Sequence, residues 1–227
     1  MRSLVILTYN EIKGSRALFD KIPFSACDEC VVVDGGSIDG TAEFYRTEGI
    51  RVVDQQDRGR GAAFWVGLRE TRGDCIVVFS PDGNEDPADI PKLFALLEEG
   101  FDMAIASRFM PGSRNEEDDS LLPLRKWVNM MFSWCANVLW QGKVTDSING
   151  FRGFHREAFL RMNPKVNGFV IEYIMTIRAL KLRLKIKEIP TIEGSRIGGK
   201  SKARSFPTGI EFLRNLFHEI RVGKSFE

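Results

Sequence analysis

Short apolar runs alternate with segments of helical apolar spacing along the first half of the chain. The runs predict strands, and the spaced segments predict helices, at the following positions: strands at 3–7, 31–33, 51–53, 75–79 and 103–106, and helices at 11–20, 41–48, 60–71 and 87–99. Regular alternation with short connections indicates an α/β fold, in which helices cover a mostly parallel central sheet.

The second half of the chain has a different texture. Residues 110–122 form a polar loop rich in glycine, proline and acids, and residues 124–140 form an unusually apolar helix with three tryptophans. That helix either belongs to the core or faces lipid, and it is too short to span a bilayer. Beyond it we predict the remaining elements: a helix at 170–183, a strand at 185–192, a loop at 194–206 and a helix at about 208–221. The last helix either packs onto the sheet or binds a membrane surface.

Length and apolar content set the domain organisation. A chain of 227 residues with 43% hydrophobic composition can bury one sizeable core, so we expect a single domain. The apolar run at 4–7 is too short for a signal peptide, and no run reaches the roughly eighteen apolar residues of a transmembrane helix. We therefore expect a cytoplasmic protein, with at most a peripheral contact on the cytoplasmic face of the membrane.

Charge is balanced overall and uneven locally. The formal net charge of +1 provides no basic field for nucleic acid, so we predict no nucleic-acid partner. Residues 178–224 carry twelve Lys or Arg against four Glu, which suits a phosphate or a membrane face. A solvated helix face and loop would account for the same charges.

Polar residues follow two of the predicted strands. Asp34 comes after strand 31–33 and Asp82 after strand 75–79, and ligands of such sheets bind beyond the carboxyl ends of the strands. Asp82 and Asn84 are hard oxygen ligands of the kind that bind Mg²⁺ or Mn²⁺, although Asp and Gly are also ordinary turn formers. Arg60 lies between two glycines at a helix start, where a diphosphate could bind.

Two common nucleotide-binding motifs are absent from the sequence. No G-x-G-x-x-G follows the first strand, and no G-x-x-x-x-G-K-[ST] occurs. These absences argue against a dinucleotide oxidoreductase and a P-loop nucleotidase.

Four segments of the first half, taken together and in order, resemble family 2 glycosyltransferases of the GT-A fold, a Rossmann-like nucleotide-diphospho-sugar transferase fold. They are TYNE at 8–11, DGGSIDGT at 34–41, RGRGAA at 58–63 and SPDGN at 80–84 with Pro87. Segments of the second half are similar to the dolichyl-phosphate or polyprenyl-phosphate mannose synthase branch. They are SR at 107–108, DSINGFR at 146–152, EIP at 188–190 and RIGGKSK at 196–202. The resemblance covers residues 3 to about 204.

The resemblance implies a role for each matching residue. The donor side would comprise Thr8, Tyr9, Asn10, Glu11, Asp34 and Arg60, with Arg60 near the phosphates. Asp82 and Asn84 would bind Mg²⁺ or Mn²⁺. The acceptor side would comprise Arg108, Asp146, Arg152, Arg196, Ser201 and Lys202. The chain would then divide into a donor half at 1–108, an acceptor half at 109–206 and a C-terminal amphipathic helix at 207–227.

Three positions depart from the family pattern. Ser80 stands at the first aspartate of the usual Asp-x-Asp motif, Leu7 replaces a common proline, and Gly35 replaces a common second aspartate. The Ser80 change bears on metal binding, because one carboxylate and one amide hold Mg²⁺ only when the donor diphosphate supplies further ligands.

The implied reaction is inverting transfer of a hexose, mannose or glucose, from GDP-mannose or UDP-glucose to a polyprenyl phosphate. A phosphomonoester has a second pKa near 6 and needs no strong general base, so Arg196 and Lys202 would position it while Asp82 binds the metal. Two alternatives stay open. With a saccharide or lipid-linked glycan hydroxyl as acceptor, Asp146 would be the base, and Ser80 also fits a catalytically idle nucleotide-sugar binding module. Partners would include a peripheral membrane contact or a membrane-anchored protein.

Overall fold

The computed structural model describes residues 1–198 and 205–226. Within them, seven strands form one sheet: β1 (Arg2–Thr8), β2 (Glu29–Asp34), β3 (Arg51–Asp54), β4 (Cys75–Phe79), β5 (Met103–Ser107), β6 (Arg152–His155) and β7 (Ile186–Pro190). The strand order is β3-β2-β1-β4-β6-β5-β7. Strand β6 runs antiparallel to both neighbours, β4 and β5, and the other pairs are parallel. The mostly parallel sheet expected from the sequence is therefore present.

Helices flank this sheet on both faces. They are α1 (Ile12–Leu18), α2 (Thr41–Thr47), α3 (Arg60–Glu70), α4 (Ile90–Glu98), α5 (Leu124–Trp140), α6 (Arg156–Met162), α7 (Ile171–Lys181) and α8 (Ser205–Val222). A short 3-10 helix, Pro87–Asp89, precedes α4, so Pro87 stands at the first turn, where its missing N–H costs nothing. The sequence does not predict β6 or α6. At β6, Arg152 and Gly153 interrupt the apolar run.

The two faces of the sheet carry separate apolar cores. Along β1, Leu4 and Ile6 join one core and Val5 and Leu7 join the other, as the alternation of side chains in a strand requires. Because both faces are covered, the strands have the continuous apolar sequences of a buried parallel sheet.

A third apolar cluster joins α5, α7 and α8. The rings of Phe132, Tyr173 and Phe212 lie with centroids 5.1–5.4 Å apart, which fixes the three helices to one another. Helix α5 is therefore only partly a core helix, since Phe132 is buried while Trp127 is 53% and Trp134 64% exposed. Helix α8 packs against α5 and α7 through this cluster. Of the helices in the described part of the chain, none is long and apolar enough to cross a membrane.

Candidate active site

A cavity of about 730 Å³ opens beyond the carboxyl ends of β1, β2, β4 and β5. Its lining includes the residues that end or follow those strands, namely Thr8, Gly35, Ser80 and Arg108. This is where ligands bind in open α/β sheets. The lining also includes predicted site residues from distant parts of the chain: Tyr9, Glu11, Arg60, Asp82, Asn84 and Arg196.

Asp34 ends β2 beside the cavity, directly before Gly35, which lines it. Its carboxylate is 1% exposed and accepts hydrogen bonds from Thr8 Oγ1 at 3.0 Å, from Gly36 N at 2.9 Å and from Ser37 N at 2.7 Å. Asn10 joins the same turn, because its Oδ1 accepts a hydrogen bond from Ile38 N at 2.8 Å. Both side chains therefore shape the turn that carries Gly35 into the cavity, and neither of them lines the cavity, although both were expected to contact the donor.

Arg60 is held in the cavity lining by a partner that the sequence did not indicate. Its Nε donates to the Glu172 carboxylate on α7, and its Nη1 donates to Ser80 Oγ at 3.4 Å. Glu172 is 3% exposed and lines the cavity. The pair places one guanidinium between β4 and α7, at the start of α3, where the helix dipole also favours anions.

The glycines around Arg60 serve the protein's own packing. A Cβ at Gly59, whose φ is +121°, would lie 2.1 Å from the carbonyl oxygen of Asn167, and one at Gly61 would lie 1.7 Å from that of Val166. Gly61 N also donates to Asn167 O at 3.0 Å. In this structure the close approach expected of a diphosphate is made by the segment that precedes α7, so these glycines position Arg60 through backbone packing.

Arg196 lies directly against the predicted metal ligand. Its Nη1 donates to Asp82 Oδ2 at 2.6 Å, and its Nη2 donates to the Glu11 carboxylate. Asn84 Nδ2 donates to Gly194 O at 2.8 Å, which fixes the same loop over β4. The structure thus brings Asp82, Asn84 and Arg196 together. Arg196, which was expected on the acceptor side, contacts Glu11 and Asp82, which were expected to bind the donor and the metal.

Arg108 and Asp146 form a buried pair at the other side of the cavity. Asp146 is 0% exposed and accepts from Arg108 Nε at 2.7 Å and Nη2 at 3.1 Å, while Glu193 accepts from Arg108 Nη1 at 3.2 Å. Burial raises the pKa of Asp146, but the charge and hydrogen bonds of Arg108 outweigh it and lower that pKa overall. The expectation that Asp146 acts as a base is corrected, because it lies beneath the cavity as a fixed anion that orients Arg108.

Arg152 does not line the cavity either. It is 0% exposed, and its guanidinium donates to the carbonyl oxygens of Asn149 at 2.5 Å and Glu172 at 2.9 Å and to Thr176 Oγ1 at 3.2 Å. Burial lowers its pKa to about 10. The predicted acceptor contact is corrected, because this side chain ties the loop before β6 to α7. Ser201 and Lys202 lie outside the described residues.

The far end of the cavity is mostly apolar, although Arg125 and Asn129 of α5 also line it. Its lining there comes from α5, from the segment before α7 and from α8: Leu124, Val128, Phe132, Phe169 and Phe212. Val128 is 43% exposed and Phe169 39%, so this end reaches the protein surface beside the exposed tryptophans of α5. The cavity is therefore continuous from an end lined by charged side chains to an end lined mostly by apolar ones.

Comparison with known proteins identifies the family. The model described as Glycosyl transferase family 2 matches residues 3–162. This chain belongs to glycosyltransferase family 2.

Individual relatives of this family 2 glycosyltransferase match most of its chain. Glycosyltransferase AglJ of Haloferax volcanii is 28% identical over 81% of this chain and 60% of its own length. A dolichol-phosphate mannosyltransferase of Pyrococcus furiosus is 29% identical over 96% of this chain and 63% of its own length. The chain thus spans about three fifths of these two relatives.

A solved structure establishes the fold of this family 2 glycosyltransferase. Glucosyl-3-phosphoglycerate synthase of Mycobacterium tuberculosis, in complex with Mn²⁺, UDP-glucose and phosphoglyceric acid, matches with a TM-score of 0.74 at 23% identity. The match covers 96% of this chain and 79% of that one. The chain therefore has the GT-A fold, as its sequence indicates.

The oxygen donors of this family 2 glycosyltransferase fit a hard divalent cation. Asp82, Asn84 and Glu85 all line the cavity from one loop after β4. Across residues 1–198 and 205–226, no group of three or more His, Cys, Asp or Glu side chains is arranged to hold a metal by itself. A cation here would therefore take part of its coordination from other oxygens, such as those of a diphosphate.

Glu85 and Glu172 are site residues that the sequence analysis missed. Glu85 Oε2 accepts a hydrogen bond from Ser80 N at 2.6 Å, so its side chain folds back across the loop. Glu85 follows the same strand as Asp82, so the tendency of ligands to bind beyond the carboxyl ends of strands could have indicated it as well. Glu172 has no local signal, because it meets Arg60 from a position 112 residues away.

Replacing Glu85 by glutamine is expected to change how stability depends on pH. Burial raises the pKa of Glu85 to about 8, and the charge of Asp82 adds to the rise. Between pH 4.5 and about 8 the folded chain keeps a proton that the unfolded chain has released, so stability falls as pH rises through this window. Glu85→Gln removes that loss. In EDTA, the Tm of Glu85→Gln minus the Tm of wild type should therefore increase from pH 5 to pH 9.

Asp86→Asn is the matched control, because Asp86 is an exposed carboxylate in the same loop. Its Tm difference should stay constant over the same pH range. Parallel Tm curves for Glu85→Gln and wild type would contradict the prediction.

Proposed function

We propose that this glycosyltransferase moves a hexose from a nucleoside-diphosphate sugar to a polyprenyl phosphate, with inversion at C1. The observation that carries the proposal is the continuity of the cavity, from Arg60 and Asp82 at one end to Phe132 and Phe212 at the other. A nucleotide sugar is polar throughout and uses only the first end. An acceptor that has a phosphate on a long hydrocarbon uses both.

The relatives support this choice of acceptor. The dolichol-phosphate mannosyltransferase of Pyrococcus furiosus is similar over almost the whole of this chain. The Mycobacterium tuberculosis synthase was solved with UDP-glucose, Mn²⁺ and an acid acceptor, which supports a nucleotide-sugar donor for the shared fold. We propose GDP-mannose or UDP-glucose as the donor, with Mg²⁺ or Mn²⁺.

The donor would lie along the charged end of the cavity. Tyr9 and Gln55 line the nucleoside side, and Arg58 and Arg60 bring positive charge to the diphosphate. Asp82 and Asn84 would hold the metal, which when bound neutralises the charge that develops on the leaving diphosphate. Arg60 shares this task as a fixed cation whose orientation Glu172 sets.

The chemical step needs little from the protein besides positioning. An oxygen of the acceptor phosphate, already ionised at neutral pH, forms the new bond to C1 as the bond to the diphosphate oxygen breaks. No proton has to be removed, which agrees with the burial of Asp146 beneath the cavity. Arg196, placed between the two acids Glu11 and Asp82, is the described cation best situated to hold the acceptor phosphate in line.

We also propose that α5 and α8 rest on a lipid surface. Their outward faces expose large apolar side chains: Leu124, Trp127, Met131, Trp134 and Val138 on α5, and Ile210, Leu213, Phe217 and Ile220 on α8. Exposed cations accompany them, at Arg125, Arg214 and Arg221. Apolar patches of this extent indicate an interaction surface, and the basic residues favour anionic headgroups. A lipid acceptor would then enter from the bilayer into the apolar end of the cavity.

Truncating the two exposed tryptophans of α5 tests this contact. The Trp127→Ala/Trp134→Ala variant should lose flotation with vesicles of phosphatidylglycerol and phosphatidylcholine, because interfacial indole rings carry much of such binding. Its Tm should remain close to that of wild type, since both rings are more than half exposed. Leu160→Ala removes an apolar side chain that is 50% exposed on α6 and should float as wild type does. Equal flotation of all three proteins would contradict the prediction.

The reaction itself is tested by incubating the purified protein with labelled GDP-mannose or UDP-glucose, dolichyl or undecaprenyl phosphate, and Mn²⁺ or Mg²⁺. We expect label to enter the organic phase with one donor, and EDTA to abolish the transfer. Transfer to a saccharide or glycan hydroxyl but to no polyprenyl phosphate would overturn the proposed acceptor. Donor binding by calorimetry without metal dependence or turnover would instead favour the idle binding module.

A further inference from the structure

Ser80 and Glu85 face each other across one turn of chain at the edge of the sheet. Ser80 directly follows β4 and is 8% exposed, and its backbone N–H donates to Glu85 Oε2 at 2.6 Å. The Glu85 carboxylate is thereby held at the strand end, beside the position where the family resemblance expects an aspartate. Both residues line the cavity together with Asp82.

The charged residues around this turn are consistent with a carboxylate at position 85 in place of one at position 80. Arg60 meets Ser80 Oγ and Glu172, and Arg196 meets Asp82 and Glu11. Aspartate at 80 next to glutamate at 85 would bring two carboxylates together, and each would disfavour ionisation of the other. A small neutral residue at 80 leaves the space at the strand end to the Glu85 carboxyl group. Two carboxylates of this loop, Asp82 and Glu85, thus line the cavity.

We propose that Glu85 supplies the metal-binding carboxylate that Ser80 does not, completing with Asp82 and Asn84 the oxygen set that holds the divalent cation of the donor complex. The inference rests on the proposed function, because it concerns the same donor site. The carboxylate that is missing at Ser80 would then be replaced by one five positions later in the same loop. Because the number of charged ligands sets the affinity for hard cations, Glu85 should determine how tightly the metal binds.

The test measures metal affinity directly, apart from catalysis. Mn²⁺ is titrated into the protein in the presence of saturating UDP or GDP and followed by electron paramagnetic resonance of the free ion. Glu85→Gln keeps an oxygen that can accept from Ser80 N but removes the charge, and Mn²⁺ should bind about tenfold more weakly or worse. Asp86→Asn removes an exposed charge from the same loop and should bind Mn²⁺ as wild type does.

A second variant separates a metal ligand from a loop support. Ser80→Asp/Glu85→Gln moves the carboxylate back to the strand end, and it should recover Mn²⁺ affinity to within a few-fold of wild type. If Glu85 served only to hold the loop, Glu85→Gln would bind Mn²⁺ normally, which would overturn the inference. If the Mn²⁺ affinity of the double variant stayed as low as that of Glu85→Gln, the inference would also be overturned.

Failure of this inference is distinguishable from failure of the proposed function. A wild-type protein that transfers hexose to polyprenyl phosphate in EDTA, and binds no Mn²⁺ with either nucleotide, would overturn the role of Glu85 and leave the reaction standing. Weaker Mn²⁺ binding by Glu85→Gln and its recovery in the double variant, with no transfer to any polyprenyl phosphate, would support the role of Glu85 and overturn the acceptor.

Discussion

Asp82→Asn should lower the turnover of hexosyl transfer by about a thousandfold while the protein stays folded. Asparagine keeps the shape and can still accept the hydrogen bond that Asp82 Oδ1 receives from Asn84 N at 3.0 Å. It loses the charge that would bind the cation and that pairs with Arg196 at 2.6 Å. Steady-state transfer rates at saturating donor and acceptor measure the effect, and thermal unfolding verifies the fold.

The control for this variant is again Asp86→Asn, which should keep its rate within a factor of about two because the side chain is exposed and caps the short helix before α4. A turnover for Asp82→Asn within a few-fold of wild type would contradict the assignment of Asp82. It would also remove the basis for placing the cation in this loop.

Glu219→Ala should lower the free energy of unfolding by about 3–5 kcal/mol, since it leaves buried cations without their partner. Glu219 on α8 is 0% exposed and accepts from Arg178 Nη2 at 2.8 Å and from Lys181 Nζ at 2.5 Å, both on α7. Burial already lowers the pKa of Lys181 although Glu219 acts to raise it. Without the carboxylate, α8 loses the anchor that holds its apolar residues against α7.

Urea denaturation at neutral pH measures this loss. His218→Ala changes the neighbouring, exposed position on α8 and should alter stability by no more than about 0.5 kcal/mol. A loss below about 1 kcal/mol for Glu219→Ala would show that the two cations find other partners or water.

Apolar patterning made most of the architecture predictable. The strands of the first half lie where continuous apolar runs occur, because a sheet covered on both faces confines polar positions to the strand ends. Strand β6 was not predicted because it has no continuous apolar run. Its first two residues, Arg152 and Gly153, resemble a loop in the sequence. Its arginine is accommodated only because carbonyl oxygens of the loop before β6 and of α7 surround it.

The candidate site was predictable where residues end strands, and less so elsewhere. Asp82 and Arg60 both line the cavity, as strand-end and helix-start positions imply. A sequence match gives a residue's position along the chain and not the direction of its side chain. Asp146 and Arg152 were therefore assigned to the acceptor, although both point into the protein interior. The pairing of Arg60 with Glu172 depends on the packing of α3 against α7 and has no sequence signal.

The position of β6 limits how this enzyme can be recombined with its relatives. Strand β5 belongs to the first 108 residues, yet it reaches β4 only through β6, which the chain contributes more than forty residues later. A fragment that stops at 108 would leave β4 and β5 with open hydrogen-bonding edges, prone to pair with other molecules. The part of the chain after residue 108 therefore cannot be transplanted as a simple C-terminal cassette. A working chimera has to carry β6 together with a matching β4 and β5, so that one parent supplies the whole centre of the sheet.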